Sequence, residues 1–214
     1  MSTESIEASF LSIFALISFF IFLLVSKYSH RIKSGALLDK DFSKPQAFHD
    51  VPVTRSGGIA AIISLSIFFC IYYLLYAEIL YNYIFISWSV FIIGFLDDLR
   101  INIKPLNRLI IMILLLFTSI YILPIKILNI DIPFLTTLMS SHIFSSTFVL
   151  LCFLFVINGA NLIDGFNGLL TINLIIINII LAFLNINNGN LEFSILIISQ
   201  IIILLSFLFK ILLK

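Results

Sequence analysis

Charge is scarce in this sequence. Lys, Arg, Asp and Glu make up only 11% of its 214 residues, against 61% hydrophobic, whereas a soluble domain carries about a quarter charged residues. An ordinary water-soluble globule is excluded. The 12 basic and 11 acidic residues leave a net charge of +1, without the concentrated basic face of a general nucleic-acid binder. Nucleic acid is not an expected partner. Cysteine is nearly absent: Cys70 and Cys152 both sit inside apolar runs, with neither metal-ligand spacing nor a disulfide framework, and read as core filler. No Pro/Gly/Ser-rich linker and no fixed-period repeat divides the chain, so residues 1–214 are expected to form a single transmembrane domain. The first nine residues lack a basic n-region, carrying Glu4 and Glu7 instead, and no small-residue cleavage site follows. The first apolar run therefore reads as a retained span.

What is present is a series of apolar runs near the length of a membrane-crossing helix, about 17–25 residues. They fall at roughly 8–26, 57–76, 80–96, 109–125, 143–160, 169–186 and 193–209. The expected fold is all-α, a polytopic membrane protein of about seven transmembrane helices. Basic residues mark the cytoplasmic loops. Lys27, Arg31, Lys33, Lys40, Lys44 and Arg55, then Arg100, Lys104 and Arg108, then Lys210 and Lys214 fall on one side, and Lys126 alone falls on the other. The N-terminus is therefore expected outside and the C-terminus in the cytoplasm, with cytoplasmic loops at about 27–56, 97–108 and 158–168.

Three polar clusters obey the same partition, although the basic count did not use them. The densest is Asn158 to Gly168, where Asn158, Asn161, Asp164 and Asn167 recur every third residue among three of the chain's eight glycines. An ionisable residue beside lipid-length apolar segments is a functional-site hypothesis by default. On a straight helix a step of three drifts by about 60°, so Asn161 and Asp164 share a face while Asn158 and Asn167 diverge. Gly159, Gly165 and Gly168 suit a helix break whose free N–H groups can meet an anion. A polar turn between spans would explain the glycines, but not an Asp among three Asn.

Asp97 and Asp98 end the third run, followed by Arg100, Lys104 and Arg108. Mg²⁺ takes carboxylate and phosphate oxygens while keeping several waters, so this pair suits a metal site; a solvated, charge-paired helix end is the bland alternative. Adjacent helical residues point about 100° apart, so the two carboxylates should not serve one ligand equally. Arg100, Lys104 and Arg108 recur every four residues, but Pro105 is expected to bend that stripe. The third cluster, Lys44 to Gly58, places His49 and Arg55 as donors to oxyanions and Gly57-Gly58 at the membrane entry, where a helix start can approach a phosphate. For Lys27, Arg31, Lys33, Lys40 and Lys44 taken singly, attraction to anionic headgroups is the better account. Carboxylates for a cation, bases for phosphates and a glycine-relieved backbone are the equipment of phosphoryl transfer.

These residues resemble a known family, the polyprenyl-phosphate N-acetylhexosamine-1-phosphate transferases. The segments QAFHDVPVTRSGGIA (46–60), GFLDDLRINIKPLNRL (94–109) and NGANLIDGFNGLL (158–170) stand in the family's order. The resemblance implies transfer of a sugar-1-phosphate from a UDP-sugar to a polyprenyl (undecaprenyl) phosphate, with release of UMP, in polysaccharide or peptidoglycan precursor synthesis. It also implies Mg²⁺ (or Mn²⁺) and a site on the cytoplasmic face of the plasma membrane. By matched position Asp97, Asp98 and Asp164 are the implied catalytic residues, with Asp98 and Asp164 on the metal. Asn161, Asn167, His49, Arg55, Gly57, Gly58 and Arg108 are the implied substrate-binding residues. Asn167 replaces a second Asp of many members, a lean toward polysaccharide-type enzymes. The expected partners are the lipid phosphate, the UDP-sugar and membrane lipids, and a homodimer is allowed. The family continues with further spans, a Gly-Asp motif and a His-rich loop, so the chain is expected to cover about the first two-thirds of that fold, with SFLFK (206–210) opening the next segment. The competing readings are a non-catalytic remnant and a small transporter or channel, for which Asn173 and Asn178 are the only mid-span polar hints.

Overall fold

In hydrocarbon every backbone polar group must find its partner within the segment, which leaves helices as the form for isolated apolar runs. The computed structural model follows that rule; it describes residues 3–29, 38–39, 53–54, 56–98, 105–123, 130, 132–163 and 168–213. In chain order the elements are α1 (Thr3–Ser29), β1 (Leu38–Asp39), β2 (Val53–Thr54), α2 (Gly57–Tyr76), α3 (Tyr81–Asp98), α4 (Pro105–Ile122), α5 (Pro133–Met139), α6 (His142–Ile163), α7 (Leu169–Asn187) and α8 (Leu191–Leu212). Five of these helices are long and apolar enough to cross a membrane, and two shorter apolar stretches, Tyr81–Phe95 and Leu106–Ile122, add to them. The protein is a polytopic membrane protein.

All seven expected runs are helical, with two adjustments. The fourth helix begins four residues earlier than its apolar run, because Pro105 opens α4 instead of bending it; proline's fixed φ and missing N–H suit a first helical position. The short α5 was not expected, and it too starts on a proline.

Polar side chains inside the spans fold back on their own helices. Asn173, Asn178 and Asn185 donate to the carbonyls of Leu169, Leu174 and Leu181 at 3.1, 2.9 and 2.8 Å, one turn back in each case. These bonds give the mid-span Asn173 and Asn178 amides a partner within their own helix.

The chain divides into two compact units, residues 1–80 with 163–214, and residues 81–162. In the first unit α8 lies against α1, α2 and α7. Its buried residues include Ile195, Leu196, Ile197, Ser199 and Ile203. Phe10, Phe14 and Phe68 join α1 to α2, with the Phe14 and Phe68 centroids 5.4 Å apart edge to face. In the second unit Ile93 of α3 and Met112 and Leu116 of α4 form a core, against which Leu150, Phe153, Leu154 and Ile157 of α6 are packed.

Candidate functional site

Each unit brings part of the polar inventory to the ends of its helices. In the first, β1 and β2 pair antiparallel, Leu38 opposite Thr54 and Asp39 opposite Val53. In sequence, 40–52, which contains His49, separates the two strands, and β2 ends three residues before α2 begins. His49 and Arg55 themselves lie outside the described residues. Ser56, 2% exposed, is the N-cap of α2 but makes no side-chain cap, and Gly57 and Gly58 form the first turn. Gly57 is required there by packing: a Cβ on it would lie 2.7 Å from Cε2 of Phe207 in α8.

The other glycine-led start is α7. Its N-cap Gly168 has φ +81°, the left-handed region that favours glycine, and a Cβ there would lie 3.2 Å from Cδ1 of Leu208. Consecutive residues of α8 thus abut the starts of both α2 and α7. Neither start has a side-chain cap, so first-turn N–H groups are left to other acceptors.

In the second unit the sites are placed by helix register. Asp97 follows the core residue Ile93 by four, Arg108 precedes Met112 by four, and Asn158 and Asn161 follow Leu154 and Ile157 by four. Residues four apart share a helix face, and one turn is about 5.4 Å. Asp97, Arg108 and Asn161 therefore occupy positions one turn from a single apolar core. Asp98 instead shares its face with Gly94, where a Cβ would meet nothing within 4 Å. This separation bears on the expectation that the two aspartates do not serve one ligand equally. For Asp97, Asp98 and Asn161 only the backbone placement is described.

The expected helix break falls later than Gly159. Asn158 donates to the Leu154 carbonyl at 2.8 Å and α6 continues to Ile163, so Asn161 lies on a helix, while Asp164 and Asn167 lie outside the described residues. No group of three or more His, Cys, Asp or Glu side chains positioned for a metal occurs among the described residues.

The family model for glycosyl transferase family 4 matches residues 79–209. The chain belongs to glycosyl transferase family 4. Membership implies a polyprenyl-phosphate sugar-1-phosphate transferase. The matched stretch runs from the entry of α3 to the last turn of α8 and includes both the Asp97-Asp98 and the Asn158–Gly168 clusters. No curated protein and no solved structure matches the chain.

The packing roles of Phe207, Leu208 and Lys210 are not legible in the sequence, where SFLFK (206–210) stands as the opening of a next segment and Lys210 as a topological charge. Lys210 is 6% exposed and its Nζ stands 5.8 Å from the centroid of the Phe207 ring. A lone Lys inside a run of Ile, Leu and Phe was the available signal.

Proposed function

We propose that this family 4 protein transfers an N-acetylhexosamine-1-phosphate from a UDP-sugar to a polyprenyl phosphate for envelope polysaccharide synthesis. An oxygen of the lipid phosphate forms a bond to the β-phosphorus of the UDP-sugar, the bond from that phosphorus to the bridging oxygen breaks, and UMP leaves with that oxygen and its electron pair. The observation that carries the reading is the family match across α3 to α8 together with Asp97, Arg108 and Asn161 one turn from one core.

In this reading Asp97, Asp98 and Asp164 form the acidic part of the site. Arg55 and Arg108 neutralise phosphate oxygens, for which a guanidinium fork is suited. His49, Asn161 and Asn167 supply donors to the nucleotide-sugar, and Gly57 and Gly58 let backbone approach it. The oxygen-donor set at the end of α3 fits a hard divalent cation; Asp98 and Asp164 would hold Mg²⁺, which offsets diphosphate charge when bound. The site faces the cytoplasm of the plasma membrane, with residues 1–214 acting as one transmembrane domain.

The test is direct. Purified protein incubated with UDP-GlcNAc, undecaprenyl phosphate and Mg²⁺ should release UMP and form a lipid-linked product. Absence of both, with other UDP-sugars also inert, rejects the proposal for this chain.

A further inference from the structure

Among the described residues Lys210 is the one charged side chain that is buried, at 6% exposed. A lysine in the last turn of a helix is favoured by the helix dipole, and a cytoplasmic position satisfies topology. Both would be met by an exposed side chain whose ammonium stays in water. Neither accounts for the burial.

The Lys210 ammonium stands over the ring of Phe207, 5.8 Å from its centroid, within range of a cation–π attraction that strengthens on desolvation. That ring occupies the space which a side chain at residue 57 would need, and its centroid is 5.9 Å from that of Phe22 in α1. Leu208, the next residue, abuts Gly168 at the start of α7. One short stretch of α8 therefore meets α1 and the first residues of both α2 and α7, which carry glycines of two of the polar clusters.

We propose that Lys210 is a positioning residue: by holding the Phe207 ring against Gly57, it sets where the Gly57-Gly58 turn stands for a phosphate-bearing substrate. The substrate part of this inference rests on the proposed transferase activity. The positioning part does not.

The test separates the two. In the full chain carrying Cys70→Ala and Cys152→Ala, a reporter Gly58→Cys, at the exposed position of the first turn of α2, is labelled with a maleimide. Lys210→Met should change the labelling rate by at least about threefold, as expected when a local contact is loosened, and Lys210→Arg, which keeps the cation, should restore it. Equal rates in all three backgrounds overturn the proposal, whether or not the chain releases UMP. If Lys210→Met does not fold, Phe207→Leu removes the ring and keeps the charge; it must then shift the same rate, and an unchanged rate is equally fatal. Where the parent releases UMP, Lys210→Met should raise KM for the UDP-sugar by about fivefold with kcat little changed, the pattern of lost uniform binding, and Lys210→Arg should reverse it. An unchanged KM overturns the substrate part alone. A parent that releases no UMP removes the transferase reading and leaves the labelling result to decide the positioning.

Discussion

Gly57 and Phe207 are mutually fitted: a Cβ on the glycine would lie 2.7 Å from the ring's Cε2, and the centroid of that ring is 5.9 Å from that of the buried Phe22. A side chain at residue 57 has to displace the ring. Gly57→Ala should therefore destabilise the protein by about 1–3 kcal/mol, the usual cost of overpacking, read as a lower melting temperature in detergent. Adding Phe207→Leu should recover part of the loss.

Gly94 and Gly159 provide the opposite case. Both lie inside helices, and a Cβ on either meets nothing within 4 Å. Alanine at these positions should raise stability by up to about 1 kcal/mol through helix propensity. A drop comparable to that of Gly57→Ala would contradict the packing described.

Gly168→Ala should cost about 1–2 kcal/mol, because an L side chain is strained in the left-handed region at φ +81°. Gly168→Asn should cost less, since Asn tolerates that region better. Thermal melts of the two variants check the order.

Ser18 and Ser64 are each 0% exposed, and neither hydroxyl has a hydrogen-bond partner among the described residues. An unsatisfied buried hydroxyl costs about 1–3 kcal/mol. Ser18→Ala and Ser64→Ala should therefore be neutral or stabilising, and a clear loss of melting temperature in both would show that the hydroxyls are satisfied in the membrane.

The acidic residues carry the functional prediction. Asp98→Asn and Asp164→Asn should lower UMP release by at least about a hundredfold, as expected when a group stabilising transition-state charge is removed. Chelation with EDTA should abolish it reversibly. For orientation, Asn188→Cys between α7 and α8 should react with an impermeant maleimide on intact cells, while Asn107→Cys should react only after permeabilisation. The reverse pattern would put the proposed site on the wrong side.

The membrane class and the seven apolar helices were legible in the sequence, though the short α5 was not, because apolar length is a local property, set by hydrocarbon thickness and by the need to satisfy the backbone within each segment. The polar clusters stood out for the same reason: Asp97-Asp98 and Asn158 to Gly168 interrupt runs of Ile, Leu and Phe. Tertiary structure alone decided which positions share a core, so that Ile93 meets α4 and α6, and that Phe207 fills the space left at Gly57. It also showed Asn173 and Asn178, the mid-span polar hints of the sequence, bonded within their own helix. Such facts depend on helix rotation and on contacts between residues as far apart as 57 and 207, which no window along the chain contains. Lys210 shows the division most clearly: its charge can be read in the sequence, but its burial is a property of the helices gathered around it.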